Sequence, residues 1–348
     1  MSAAEPLLSV RHLVTGFVSD DRASRASLGV DDVSFDVGRG RVLAMVGQCG
    51  SGKSLTALSI LRLLPPEARL LGGQLLFEGR DLATLPEPEM RRVRGRGIAM
   101  IFQEPATALS PVHTVGWQLA TALVASGRVR RRPLSLDAWK LRALGAELLA
   151  KVDLPEPTRI LDSFPHQLSA GMRRRVMLAL ALSGQPRLLI ADEPTTGLDA
   201  TIQAQILDLL ARIARDDGMS VLLITHDLSA VAALASDVVV MYAGHVVEAA
   251  PVHSLFEQPQ HPYTRLLLES SRRLASATRS ATPPRSNLRP FEPNPSAACR
   301  FAEDCPERAA SPRDFPRCTL EQPALEPAGA RHRSRCFYPM LDPSKAHD

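Results

Sequence analysis

Two stretches of this chain carry the groups needed to hold a triphosphate and to attack it with water. The first, Gly47-Gln48-Cys49-Gly50-Ser51-Gly52-Lys53-Ser54, has the G-x-x-x-x-G-K-[ST] spacing of a phosphate-binding loop. Glycines let such a loop turn tightly and bring backbone N–H groups onto phosphate oxygens. Gly47, Gly50, Ser51, Gly52, Lys53 and Ser54 are the candidate nucleotide-binding set. Lys53 would reach the β- and γ-phosphates, and the Ser54 hydroxyl would sit on Mg²⁺. Cys49 reads as a tolerated, non-catalytic thiol. The second stretch, Leu188-Leu189-Ile190-Ala191-Asp192-Glu193, is an apolar run ending in two carboxylates. Phosphoryl transfer needs positioning and charge neutralisation more than covalent help. One carboxylate for the metal, Asp192, and one to polarise the water, Glu193, are therefore sufficient. Alone, two acids after an apolar run read as a solvated strand end; downstream of a phosphate loop the chemical reading prevails.

These groups need elements to aim them. Val42 to Val46 is fully apolar, as for a buried parallel strand, and Ser54 to Leu64 reads as a helix stopped by Pro65-Pro66. The positive end of that helix would face the phosphates. Two more apolar runs end in polar residues where an open α/β sheet places its ligands: Leu188 to Ala191, and Val221 to Thr225 before His226-Asp227. Leu8 to Gly38 alternates as antiparallel strands do, and Gly73 to Gly79 suggests another strand and turn. From about residue 105 to 180 the pattern is helical, as in Val115 to Ala125 and Asp137 to Val152. Strands and helices then alternate from Leu188, the sign of a parallel sheet, and 238–247 reads as a hairpin around Ala243-Gly244. Trp117 and Trp139 fall on helical patterns and read as core. Ser270 to Pro295, rich in Ser, Arg and Pro, reads as a linker.

Between the two chemical stretches lies Leu168-Ser169-Ala170-Gly171-Met172, which resembles the signature of ATP-binding cassette (ABC) proteins. From about Leu8 to about Pro339 the chain resembles an ATP-binding subunit of the bacterial oligopeptide/dipeptide branch of ABC importers, to which nickel importers also belong. The resemblance rests on Phe102-Gln103-Glu104-Pro105, Leu109-Ser110-Pro111-Val112, Pro165-His166-Gln167, Ile202 to Leu207, and His261-Pro262-Tyr263-Thr264. It implies an α/β P-loop NTPase fold over residues 6–257: a RecA-like parallel-sheet core, an antiparallel β subdomain and an α-helical subdomain at about 105–180. Residues 258–340 would form the family's C-terminal region. It further implies that Gln103 touches Mg²⁺ and the water and that His226 contacts the γ-phosphate. Ser169 and Gly171 would cap the ATP of a partner subunit, Asp199 would lie in the loop linking the two sites, and Phe17 would stack on adenine. Two positions depart from the family: Ala170 stands where a glycine is usual, and Arg174 where glutamine is common. The run Arg173 to Arg175 is open to two readings, a solvated face or a phosphate contact.

The implied activity is ATP hydrolysis coupled to transport, as the motor of an importer for di- or oligopeptides, with nickel or another small solute as the alternative cargo. The implied partners are a second, similar ABC ATPase subunit, two transmembrane permease subunits and an extracytoplasmic substrate-binding protein. The rival reading, a soluble cassette ATPase acting on nucleic acid or ribosomes, normally comes with two cassettes or a long coiled coil. This chain carries one phosphate loop and no sustained heptad, so nucleic acid is not expected as a partner.

Four of the five cysteines, Cys299, Cys305, Cys318 and Cys336, crowd into the segment 299–336. In a reducing compartment this leans toward metal rather than disulfides. The spacing lacks the tight C-x2-4-C pair of common zinc sites, so zinc, an iron–sulfur cluster and free thiols all stay open. The resemblance adds that some peptide-importer ATPases hold a 4Fe-4S cluster in such a tail. At 348 residues and 45% apolar content the chain can bury a sizeable core; it has no apolar run long enough to span a membrane, and residues at its N-terminus show no apolar core of a secretion signal, so none is expected. It is expected at the cytoplasmic face of the bacterial inner membrane as a peripheral subunit. The net charge is +4, and the arginine cluster Arg128, Arg130, Arg131 and Arg132 reads as a solvated loop.

Overall fold

The strands that alternate in polarity, over residues 8–37 and 68–77, pair with one another. The computed structural model describes residues 5–18, 27–103, 108–129, 136–276, 298–310 and 316–339. Its strands are β1 (Leu8–Phe17), β2 (Ser27–Val37), β3 (Val42–Val46), β4 (Ala68–Phe77), β5 (Arg80–Asp81), β6 (Ile98–Ile101), β7 (Leu188–Asp192), β8 (Ser220–Thr225), β9 (Asp237–Tyr242), β10 (His245–Pro251), β11 (Glu326–Gly329) and β12 (His332–Ser334). The chain forms two compact units: Met1–Leu7, Val37–Val42 and Thr84–Ile224 in one, and Leu8–Asp36, Leu43–Ala83 and Thr225–Asp348 in the other.

In the first unit β6, β7 and β8 run parallel, with Ile98 beside Leu188 and Ile190 beside Leu222. Every residue of β7 and β8 is buried, which is why both read as unbroken apolar runs. Four helices, Val115–Ala125, Leu136–Lys151, Pro157–Asp162 and Ala170–Leu182, pack on one another. In Val115–Ala125 the buried stripe is Val115, Leu119 and Leu123. Trp117 lies on the opposite face, 52% exposed and stacked on His113 at 3.7 Å, and Trp139 is 77% exposed. The expectation that both tryptophans are core is therefore corrected: their helices form as expected, but the helical period turns these two positions outward.

In the second unit the alternating strands form an antiparallel sheet in the order β2-β1-β4-β5, with Leu8 opposite Phe77 and Val10 opposite Leu75. In a second sheet β3 runs parallel to β9. The β9–β10 hairpin turns at Ala243 and Gly244, φ 51° and 83°, the left-handed pair a tight hairpin prefers. β10 pairs with β12, so the C-terminal hairpin β11–β12 extends this sheet. The core beneath contains Val46, Val238, Val240, Leu255, Tyr263 and Phe301.

The helix after the phosphate loop ends earlier than expected. It spans Lys53–Leu61, and Arg62 at φ 52° terminates it. Leu63 N–H donates to Leu58 O (2.9 Å) and Arg62 N–H to Ser59 O (3.0 Å), a Schellman ending that precedes Pro65. The linker expected from Ser270 is corrected over its first residues, since Pro262–Ser276 is one helix. The rest of that linker, like Glu104-Pro105 and Arg130 to Arg132, lies outside the described residues.

Glu248 on β10 organises the second unit's C-terminal part. The carboxylate is fully buried and accepts Gln260 N–H (2.7 Å) and His261 N–H (2.9 Å), and its Oε1 lies 2.7 Å from His332 Nε2. Two further buried histidines have depressed pKa values. Burial pushes His261 down to about 4, and its Nδ1 accepts Tyr263 N–H. Burial, then the charges of Arg300 and Arg335, push His245 down to about 2. Both stay neutral in the folded chain, whereas an unfolded histidine takes up a proton near pH 6.5. Stability is thus fully present above pH 6.5 and is lost as pH falls toward the folded values. The thermal midpoint should drop between about pH 6.5 and pH 4.5, and drop less in His245→Asn; an identical slope in the two proteins contradicts this.

Candidate nucleotide site

In the second unit the phosphate loop follows β3 directly, and two of its glycines have no substitute. Gly47 sits at φ 152°, where a Cβ would stand 2.2 Å from Met241 O, and at Gly52, φ 98°, it would stand 2.6 Å from Gly29 O. Gly50 has open space around it and needs glycine only for its φ of 79°. The buried Lys53 ammonium donates to Gly47 O (2.8 Å), Gln48 O (2.9 Å) and Ser51 Oγ (3.3 Å). From the other side, Gln48 N–H donates to the Tyr263 hydroxyl (2.9 Å) and Gly244 N–H to Ser51 O (3.1 Å). Ser54 lies in the first turn of the Lys53–Leu61 helix, and Cys49 is exposed. Phe17 ends β1, 41% exposed, with its ring over Gly29: a Cβ on Gly29 would meet Phe17 Cε2 at 3.2 Å and Leu55 Cδ2 at 2.5 Å. His226 follows β8 and is exposed, next to Asp227, whose Oδ1 caps the Leu228–Leu234 helix through Ser229 N–H (2.8 Å).

The first unit places the other candidates. Asp192 is buried at the end of β7. Glu193 adopts φ 47°, a left-handed conformation that costs a side-chain-bearing residue about 1–2 kcal/mol. Its N–H donates to Ile224 O (2.9 Å), and its Oε2 accepts from Thr196 Oγ1 (2.5 Å), so the carboxylate is aimed by its own loop. Asp199 caps the helix Ala200–Asp216, accepting Thr201 N–H (3.1 Å) and Ile202 N–H (3.0 Å). Ser169 caps Ala170–Leu182, accepting Met172 N–H (3.2 Å). At Gly171 a Cβ would meet Ile202 Cγ2 at 2.9 Å, which accounts for glycine there, whereas Ala170 is exposed and its methyl is accommodated.

Arg174 follows neither of the two readings left open for it. It is buried, and its guanidinium donates to Phe102 O (3.3 Å), Gln103 O (2.9 Å) and Thr196 O (3.0 Å). Burial lowers its pKa, yet arginine remains charged. It straps the exposed Gln103 segment to the loop after Glu193. Charge-assisted hydrogen bonds of this kind contribute about 2 kcal/mol each. Arg174→Met should therefore lower chemically measured unfolding stability by about 2 kcal/mol or more, and a change within about 0.5 kcal/mol contradicts the strap.

All five cysteines are free. Cys299 N–H donates to Cys318 O (3.0 Å). Burial raises the Cys299 thiol to about 11 and the Cys336 thiol to about 12, and the charges of the other tail cysteines add to both. Burial, then Cys305, also raises Cys318. Among the described residues no three or more His, Cys, Asp or Glu side chains are arranged to hold a metal ion. Two residues, one in each unit, escaped the sequence. Tyr263 carried only a motif resemblance, and Arg174 only a departure from one; a hydrogen bond across 215 residues leaves no local trace.

Residues 30–196 match the family described as ABC transporter, and residues 247–311 match the one described as oligopeptide/dipeptide transporter, C-terminal region. The chain is 45% identical over 335 residues to the probable peptide ABC transporter ATP-binding protein y4tR of Sinorhizobium fredii, covering 96% of this chain and 95% of that one. It is 40% identical over 340 residues to the dipeptide transport ATP-binding protein DppD of Escherichia coli, covering 97% and 98%. Among solved structures it resembles the dimeric post-hydrolysis state of the ATP-binding cassette MJ0796 bound to ADP and Pi (TM-score 0.60, 24% identity, 70% of this chain and 98% of that one). It also resembles cbiO1 from Clostridium perfringens (TM-score 0.59, 24% identity, 73% and 91%). The fold is that of an ABC ATPase nucleotide-binding domain, and the chain belongs to the ATP-binding proteins of ABC transporters. Within that family it is similar to peptide and dipeptide transport ATP-binding proteins along nearly its whole length. Among the described residues no helix is long and apolar enough to cross a membrane.

Proposed function

We propose that this protein is the ATP-hydrolysing motor subunit of a bacterial importer of di- or oligopeptides. Its near full-length likeness to peptide and dipeptide transport ATP-binding proteins carries that reading. The partners are a second ABC ATPase subunit, two transmembrane permease subunits and an extracytoplasmic substrate-binding protein, with this chain peripheral on the cytoplasmic face. Residues 6–257 form the cassette, and 258–340 its C-terminal region.

In this reading Phe17 stacks on adenine, the loop from Gly47 to Ser54 cradles the phosphates, and Lys53 neutralises the β- and γ-oxygens. Ser54, Gln103 and Asp192, each with an oxygen donor, would hold Mg²⁺, which would draw charge from the phosphates. Glu193 holds the attacking water and takes its proton, and His226 holds the γ-phosphate. Ser169 and Gly171 serve the ATP of the other cassette, and Asp199 links the two sites. The test is purification of the assembled transporter with its binding protein. Peptide bound to that receptor, and ATPase activity raised several-fold by the peptide-loaded receptor, support the reading; a receptor carrying nickel and no peptide overturns the cargo.

We further propose a 4Fe-4S cluster on Cys299, Cys305, Cys318 and Cys336. One buried and three half-buried thiols, all free, supply the four sulfur donors that such a cluster takes. Its chemistry would be that of a structural staple. Anaerobic purification that yields a colourless, iron-free protein overturns it.

A further inference from the structure

The peptide unit between Gly47 and Gln48 is gripped at both of its polar ends. Its carbonyl accepts from the Lys53 ammonium at 2.8 Å. Its N–H donates to the Tyr263 hydroxyl at 2.9 Å. The Gly47 backbone packs too closely on Met241 O to admit a Cβ, so the unit has little room to turn. Tyr263 comes from the helix Pro262–Ser276 and is 1% exposed. Burial pushes its phenol up to about 12, so the hydroxyl keeps its proton while it accepts from Gln48.

The tyrosine ring is itself held in place. Tyr242 lies 4.8 Å away between centroids, and Phe301 meets it edge-on at 5.6 Å. Phe301 is 2% exposed and sits between Cys299 and Cys305. Close by, Tyr242 donates its hydroxyl proton to Asp304 Oδ2 at 2.9 Å. The cysteine segment thus packs on the same aromatic group whose one polar atom reaches the phosphate loop.

We propose that Tyr263 is a positioning residue of the nucleotide site, orienting the Gly47–Gln48 peptide and through it Lys53, and that Phe301 of the cysteine segment keeps Tyr263 in place. The C-terminal region then completes the phosphate loop. This rests on the reading of that loop as the ATP site. The phosphates of ATP report on Lys53, whereas AMP lacks the β- and γ-groups that Lys53 serves.

Tyr263→Phe removes the hydroxyl and keeps the ring. In the full chain it should weaken ATP binding about five- to tenfold, leave AMP affinity unchanged, and leave the nucleotide-free thermal midpoint within about 2 °C of native. Phe301→Leu should weaken ATP binding in the native background and add nothing in Tyr263→Phe, because the two changes act through one contact. Lys53→Ala separates the possible failures. If Lys53→Ala binds ATP normally, the loop is not the ATP site. If Lys53→Ala fails to bind while Tyr263→Phe binds as native, or loses ATP and AMP alike, the role of Tyr263 is overturned. Effects of Phe301→Leu and Tyr263→Phe that simply multiply overturn the role of Phe301.

Discussion

Glu193→Gln is expected to cut ATP turnover by about 10²–10⁴-fold while leaving ATP bound, the range removed with a positioned general base. The substitution keeps the shape of the side chain and an oxygen that can accept from Thr196 Oγ1, as Glu193 Oε2 does at 2.5 Å. It removes only the capacity to take a proton from water. The left-handed backbone at Glu193, φ 47°, is retained in Glu193→Gln, since both residues bear the same strain there. Steady-state phosphate release measures the loss, and filter retention of labelled ATP measures the binding. Turnover within a few-fold of native removes Glu193 from the role of base. A fall in turnover accompanied by an equal fall in ATP binding points to a loop that has lost its geometry instead.

Lys53→Ala is expected to weaken ATP binding by about 10- to 100-fold, the equivalent of one or two charge-assisted hydrogen bonds. The ammonium is buried and bonded to Gly47 O and Gln48 O, so it is already drawn into the loop it serves. Its removal takes the ammonium donor from Gly47 O and leaves Gln48 O with Ser51 N–H (3.2 Å), so the positive charge that draws phosphate oxygens into the loop is lost. Titration with a fluorescent ATP analogue reads the effect. Unchanged affinity contradicts the assignment of Gly47 to Ser54 as the phosphate cradle.

Much of this was legible in the sequence because the signals are local. The phosphate loop follows from the order of its glycines, and the parallel strands β7 and β8 follow from apolar runs too continuous for a half-exposed sheet. The helix Val115–Ala125 falls where its apolar spacing places it. What stayed hidden depends on contacts across long stretches of chain. Glu248 gathers Gln260, His261 and His332 on one buried carboxylate, and nothing near Glu248 in sequence announces those partners. Arg174 looked like one member of a basic run, yet its neighbours in space are three carbonyls, not solvent. Trp117 departs from expectation for the opposite reason: an apolar residue on a helical pattern reads as core, although this position faces away from the stripe of Val115, Leu119 and Leu123.

The placement of Ser169 bears on how the site is completed. Its hydroxyl caps the helix Ala170–Leu182, so the serine and the helix N-terminus form one unit, and the proposed contact with the phosphates of another cassette would be made by that unit. Gly171, pressed against Ile202, keeps that helix end close to the Asp199 loop.

Retention of labelled ATP by the assembled transporter through rapid gel filtration asks directly whether nucleotide is held between two cassettes. With Glu193→Gln in place, ATP is predicted to stay with the complex, and adding Ser169→Arg is predicted to release it. Equal retention with and without Ser169→Arg, or equal retention by the isolated chain, would contradict a site shared by two subunits.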